Sequence, residues 1–108
     1  MNTHADILTI IEEYYTQTGL QILTTKRDDD VKQAAKEAEA RFMEGLEKLE
    51  GLKLSAYNRR HFNLLREAFC DIIKSMREIR RDNGAKAEMY SQSAGRKFMR
   101  YTRAWGGA

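Results

Sequence analysis

The sequence predicts an all-α domain, a small bundle of three or four helices built on a long antiparallel helical hairpin. Three observations predict it. The 108 residues include no proline, so nothing forces a helix to break. Apolar residues recur at steps of three and four through four successive stretches, the helical period. Glycine- or asparagine-bearing breaks separate those stretches. The length suits one domain over residues 1–108 with a single modest core. At 42% hydrophobic and 32% charged residues, neither a disordered tail nor a membrane protein fits.

The first helix is predicted over residues 4–17. Thr3 with Asp6 three positions later resembles an N-terminal cap, and Ile7, Leu8, Ile10, Ile11, Tyr14 and Tyr15 follow it. Tyr14 and Tyr15 are adjacent and cannot both face one core in a regular helix, which leaves Tyr15 as a candidate contact residue. Gly19 favours a stop, and the alternation from Leu20 to Thr25 is too short to find a strand partner, so residues 19–28 are predicted as a loop.

Asp28, Asp29 and Asp30 precede the second helix, where unpaired amides and the helix dipole favour carboxylates. Adjacent aspartates point in different directions and no calcium-loop spacing follows, so no metal site is expected. From Val31 to Glu50 the inner stripe is Ala34, Ala35, Ala38, Phe42, Gly45, Leu46 and Leu49. Its small volume admits a closely approaching neighbour. Glu37 with Arg41 and Glu44 with Lys48 are spaced for support along the helix surface.

Gly51 to Leu54 reads as a short link and Ser55 as the cap of a third helix, slightly longer than the second. Phe62, Leu65, Phe69, Ile72, Ile73 and Met76 fall in a sector of about 120°. Asn83 and Gly84 supply a left-handed stop. A five-residue link makes the second and third helices antiparallel neighbours, with bulky residues of one filling the space left by alanines of the other.

The fourth helix is predicted over residues 85–104 from Ala87, Tyr90, Ala94, Phe98, Tyr101 and Trp105, with Gly95 a weak point and residues 106–108 fraying. Advancing about 100° per residue, Arg96, Arg100 and Arg103 line the face opposite that stripe, and Lys97 sits at its edge. On the third helix Arg59, Arg66 and Arg77 flank the apolar stripe, with Arg81 just beyond.

Charge is divided along the chain. Residues 1–50 hold 6 Lys/Arg against 11 Asp/Glu and residues 51–108 hold 13 against 5, balances of −5 and +8. The two halves suit mutual neutralisation between packed helices, or a basic face for a polyanion. Arginine matches phosphate and carboxylate through paired hydrogen bonds, although the wet face of any long helix must also carry polar residues. If carboxylates of the second helix pair with arginines of the third, only the fourth remains open to an anion.

Enzyme chemistry has little support. His4 and His61 are far apart, Cys70 is the only cysteine, and the glycines form no phosphate loop. No cofactor or metal is expected. With a lone cysteine, no basic leader in the first twenty residues and no apolar run of membrane length, a cytoplasmic setting is expected. Met43, Met89, Met99 and Tyr15 lie off the main stripes, and Tyr101 and Trp105, core residues by spacing, could double as anchors, so a protein interface and a homodimer are expected. The function these patterns suggest is a non-catalytic, self-associating binding module. It would hold an anionic surface, nucleic acid first, in an accessory or regulatory nucleoprotein role, using Arg96, Lys97, Arg100 and Arg103 with Arg59, Arg66, Arg77 and Arg81. The alternative is an adaptor or inhibitor docking on an acidic protein, with no nucleic acid contact.

Overall fold

In the computed structural model, which describes residues 1–25 and 28–106, the chain enters its first helix at Thr3, whose backbone N–H donates to Asp6 Oδ2 at 2.9 Å. That rod is continuous: α1 (His4–Ile10), a π-helical segment (Ile11–Thr16) and α2 (Gln17–Leu23). It runs six residues past the predicted end and through Gly19, which corrects the loop expected over 19–28. Thr18 is buried and Ile22 packs against the core; that four-residue step extends the inner stripe of Ile7, Ile11 and Tyr14, and burial outweighs the helix-weakening effect of one glycine. The rod stops at Thr24 and Thr25, whose hydroxyls both donate to the Gln21 carbonyl. Residues 26 and 27 of the expected loop lie outside the described residues.

The π segment also corrects the expectation for the tyrosines. Its wider turn accommodates one extra residue, and both rings pack inward. Tyr14 lies against α3 (Asp28–Glu50), where its hydroxyl donates to Glu44 Oε1 at 3.3 Å. Tyr15 stacks on Phe98 with centroids 4.7 Å apart and sits 5.2 Å from Phe69 and 5.8 Å from Phe42. These four rings join the first rod, α3, α4 (Phe62–Arg80) and α5 (Gly84–Gly106) at the middle of the core.

Helix α3 starts at Asp28, which places the three aspartates in its first turn. The small stripe admits a close neighbour as expected: a Cβ added at Gly45 would lie 2.5 Å from Tyr14 Cβ and 3.0 Å from Phe69 Cε1. The surface pairs differ from expectation. Among the described residues neither Arg41 with Glu37 nor Lys48 with Glu44 forms an ion pair; both cations instead lie over the Tyr14 ring, at 4.7 and 5.7 Å. Arg41 meets Glu44 only at 4.0 Å.

The link to α4 spans residues 51–61, longer than predicted, and α4 is therefore shorter than α3. Ser55 does cap a turn, its Oγ accepting from the Asn58 backbone N–H at 3.2 Å. His61 then adopts a left-handed conformation, φ 62°, and the helix starts only after it. Asn2 ties the link to the N-terminus: its N–H donates to the Lys53 carbonyl and its Oδ1 accepts from the Lys53 N–H, at 2.8 and 2.9 Å.

At the other end of α4 the left-handed residue is Asp82, φ 58°, and not Gly84, which opens α5. Asn83 N–H reaches the Glu78 carbonyl and Asp82 N–H the Ile79 carbonyl, the paired bonds of a Schellman stop. Asn83 then caps α5, its Oδ1 accepting from the Lys86 N–H. One residue ends a helix and the next begins another.

Helices α3 and α4 form the expected antiparallel hairpin, and their ion pairs give its register: Lys32 with Asp82 at 2.8 Å, Glu39 with Arg77 and Arg80 at 3.1 and 2.7 Å, and Glu50 with Arg66 at 3.4 Å. Helix α5 lies back along α4. Ser75 Oγ donates to the Ala87 carbonyl at 2.6 Å, and Asp71 accepts from Ser93 Oγ and Lys97 Nζ at 2.7 and 2.8 Å. Ala87, Ala94 and Tyr101 form the buried face of α5. The result is an all-α bundle of four rods.

Candidate anion-binding ridge

Packing of that buried face turns the opposite side of α5 to solvent. Arg96, Arg100 and Arg103 are exposed there, and among the described residues none of them forms an ion pair with the chain's own carboxylates. They surround a shallow depression completed by Gln92, Gly95 and Met99. A Cβ at Gly95 would meet nothing within 4 Å, and Met99 is 51% exposed. Arg103 lies seven positions beyond Arg96, about 10 Å of helix at ~1.5 Å per residue. Three guanidinium groups without ion-pair partners among the described residues thus flank a small apolar floor.

Of the other basic candidates, all but Arg59 are engaged in ion pairs among the described residues. Lys97 points toward α4 and closes on Asp71 at 2.8 Å in a half-buried site, so it leaves the ridge. Arg66 pairs with Glu50, Arg77 with Glu39, and Arg81 with Glu78 at 3.2 Å. Arg59 stands in the link, its guanidinium 5.4 Å from the centre of the Phe62 ring. Carboxylates of α3 therefore neutralise arginines of α4 within the molecule. Glu39 is the hub: burial pushes its pKa upward, but hydrogen bonds and charge from Arg77 and Arg80 outweigh that and hold it below the ordinary carboxylate value. Arg80 and Glu39 were not singled out in the sequence; only the hairpin register brings them together.

The proposed protein-contact residues divide in the same way. Met43, Met89 and Met99 are each about half exposed. Tyr101 is a core residue, 1% exposed, and Tyr15 packs partly buried against the core. Burial, aided by the Asp71 charge, pushes the Tyr15 phenol up to about 12. Burial does the same for Tyr101, also to about 12, with a smaller opposing effect from the Trp105 indole. Trp105 is half-buried and stacks on His4 at 3.8 Å. Pattern reading missed Tyr57, which is 63% exposed, meets Trp105 edge-on at 5.7 Å and carries the Arg60 guanidinium 3.9 Å above its ring. The three-residue spacing of Tyr57 and Arg60 was the available signal.

Cys70 lines an open groove between α3 and α4 with Glu47 and Glu50, but no histidine lines it. His61 stands exposed at the start of α4. Among the described residues no group of three His, Cys, Asp or Glu converges as for a metal ion, and no helix is long and apolar enough to cross a membrane. No family model, curated protein or solved structure matches the chain.

Proposed function

We propose that the protein is a non-catalytic, self-associating helical module that holds a polyanion, nucleic acid first, on the α5 ridge. The observation that carries this is the absence, among the described residues, of any internal ion pair at Arg96, Arg100 and Arg103, while Lys97, the α4 arginines Arg66 and Arg77, and Arg81 just past that helix are all paired. Arginines left in water on one helix face keep their donors for an outside acceptor. The span of about 10 Å equals roughly three base steps at 3.4 Å each. Contacts on such a ridge fall on phosphates, and no asparagine or glutamine row accompanies them to read bases. Weak sequence preference follows.

The test is charge reversal. Changing Arg96, Arg100 and Arg103 together to glutamate abolishes retention on duplex DNA or RNA while leaving the circular dichroism spectrum and Tm close to the parent's, because the three side chains hold nothing inside the fold. Unchanged retention contradicts the proposal.

One observation favours a second reading, docking on an acidic protein. Met99 and Gly95 place an apolar floor among the arginines, which a phosphate backbone does not use and an apolar anchor with flanking carboxylates does. Met99→Ser separates the two: it weakens capture of an acidic protein and leaves nucleic-acid retention unchanged.

A further inference from the structure

Self-association was proposed above without a surface. The groove between α3 and α4 has a floor of Ala40, Met43, Leu46 and Ile73, with Met43 46% exposed. Its two walls differ in sign: Glu44, Glu47 and Glu50 stand on α3, Lys74 and Arg77 on α4. Among the described residues Glu47 and Lys74 make no ion pair within the chain.

We infer that the occupant of this groove is a second copy of the chain, related by a twofold axis running along the groove. A symmetric interface must be complementary to itself. Two aligned twofold axes are open to a pair of antiparallel helices. The axis across the groove sets α3 on the second copy's α3, acidic wall on acidic wall. The axis along the groove sets α3 on the second copy's α4, so each acidic wall meets a basic one and the methionine floors face each other. Heights along the groove are kept by that rotation. The Glu39–Arg77 and Glu50–Arg66 pairs place Lys74 level with Phe42, within about one and a half turns of both Glu44 and Glu47. An acidic helix laid in the groove would meet the glutamates and a basic one Lys74 and Arg77; the second copy answers both walls.

The inference rests on the self-association part of the proposed function, and its test is independent of the ridge. Sedimentation equilibrium of the full chain is measured for the parent, Glu47→Lys, Lys74→Glu and the double variant. Each contact occurs twice in the dimer, so either single reversal weakens dimerisation by about tenfold or more. The double variant restores it to near the parent value, since each reversed wall again meets its opposite. Both side chains are exposed and, among the described residues, make no ion pair within the chain, Lys74 standing 5.8 Å from the centre of the Tyr90 ring, so Tm serves as the folding control. A parent that stays monomeric at high concentration, single variants with parental affinity, or a double variant no tighter than the singles each overturn the inference. The ridge variant with Arg96, Arg100 and Arg103 changed to glutamate dimerises like the parent, which keeps loss of nucleic-acid retention distinct from loss of the dimer.

Discussion

Gly45 and Tyr14 fix how closely the first rod approaches α3: a Cβ on the glycine would stand 2.5 Å from the tyrosine Cβ. A Cβ is rigidly tied to its backbone, so one helix would have to move. Gly45→Ala gains about 1 kcal/mol in helix propensity and loses about 1–3 kcal/mol to overpacking. The expected net is a destabilisation of up to about 2 kcal/mol, seen in thermal melts as a lowered Tm.

Gly19 gives the opposite sign. It lies inside α2 with nothing within 4 Å of an added Cβ. Gly19→Ala stabilises by about 0.5–1 kcal/mol. A neutral or destabilising result in denaturant unfolding would mean that the chain leaves the helix at this point.

Lys97 and Asp71 form an ion pair between α4 and α5, with side chains 29% and 11% exposed. Lys97→Met leaves a carboxylate held only by Ser93. With a discount for partial exposure, the cost is about 2–3 kcal/mol. Arg96→Met, one residue earlier on the open face, changes urea midpoints by little.

The lowered pKa of Glu39 makes stability depend on acid. A carboxylate whose folded value lies below its unfolded one contributes stability that is present above the unfolded value and disappears as pH falls through the folded one. The parent therefore loses stability below about pH 4.5, starting at the unfolded glutamate value, and Glu39→Gln flattens that part of the curve. His4, whose pKa burial lowers, acts in the same direction between its folded value and the ordinary histidine value of about 6.5. His4→Phe removes that step from the pH profile of Tm.

The ridge was legible because a helix period carries its own geometry: Ala87, Ala94 and Tyr101 inward require Arg96, Arg100 and Arg103 outward. The alanine and glycine stripe of α3 was legible for the same reason. The π segment was not, since it depends on two adjacent tyrosines finding space at Gly45 and among Phe42, Phe69 and Phe98. The late start of α4 was hidden because nothing in Ser55–His61 breaks a helix; the left-handed turn falls on a histidine. At the far end Gly84 drew attention from Asp82, which carries the positive φ. Neutralisation of the α4 arginines needed the hairpin register, which periodicity cannot supply.

The proposed function requires that Arg96, Arg100 and Arg103 on α5 bind phosphates. Its most direct test is the affinity of the full chain for a short DNA duplex, by fluorescence anisotropy over a range of salt concentrations. Neutralising about three phosphates gives a plot of log affinity against log salt with a slope near −2.7, and Arg100→Gln makes it shallower by about 0.9. A slope near zero, or one that the Arg100 change leaves untouched, would contradict the claim.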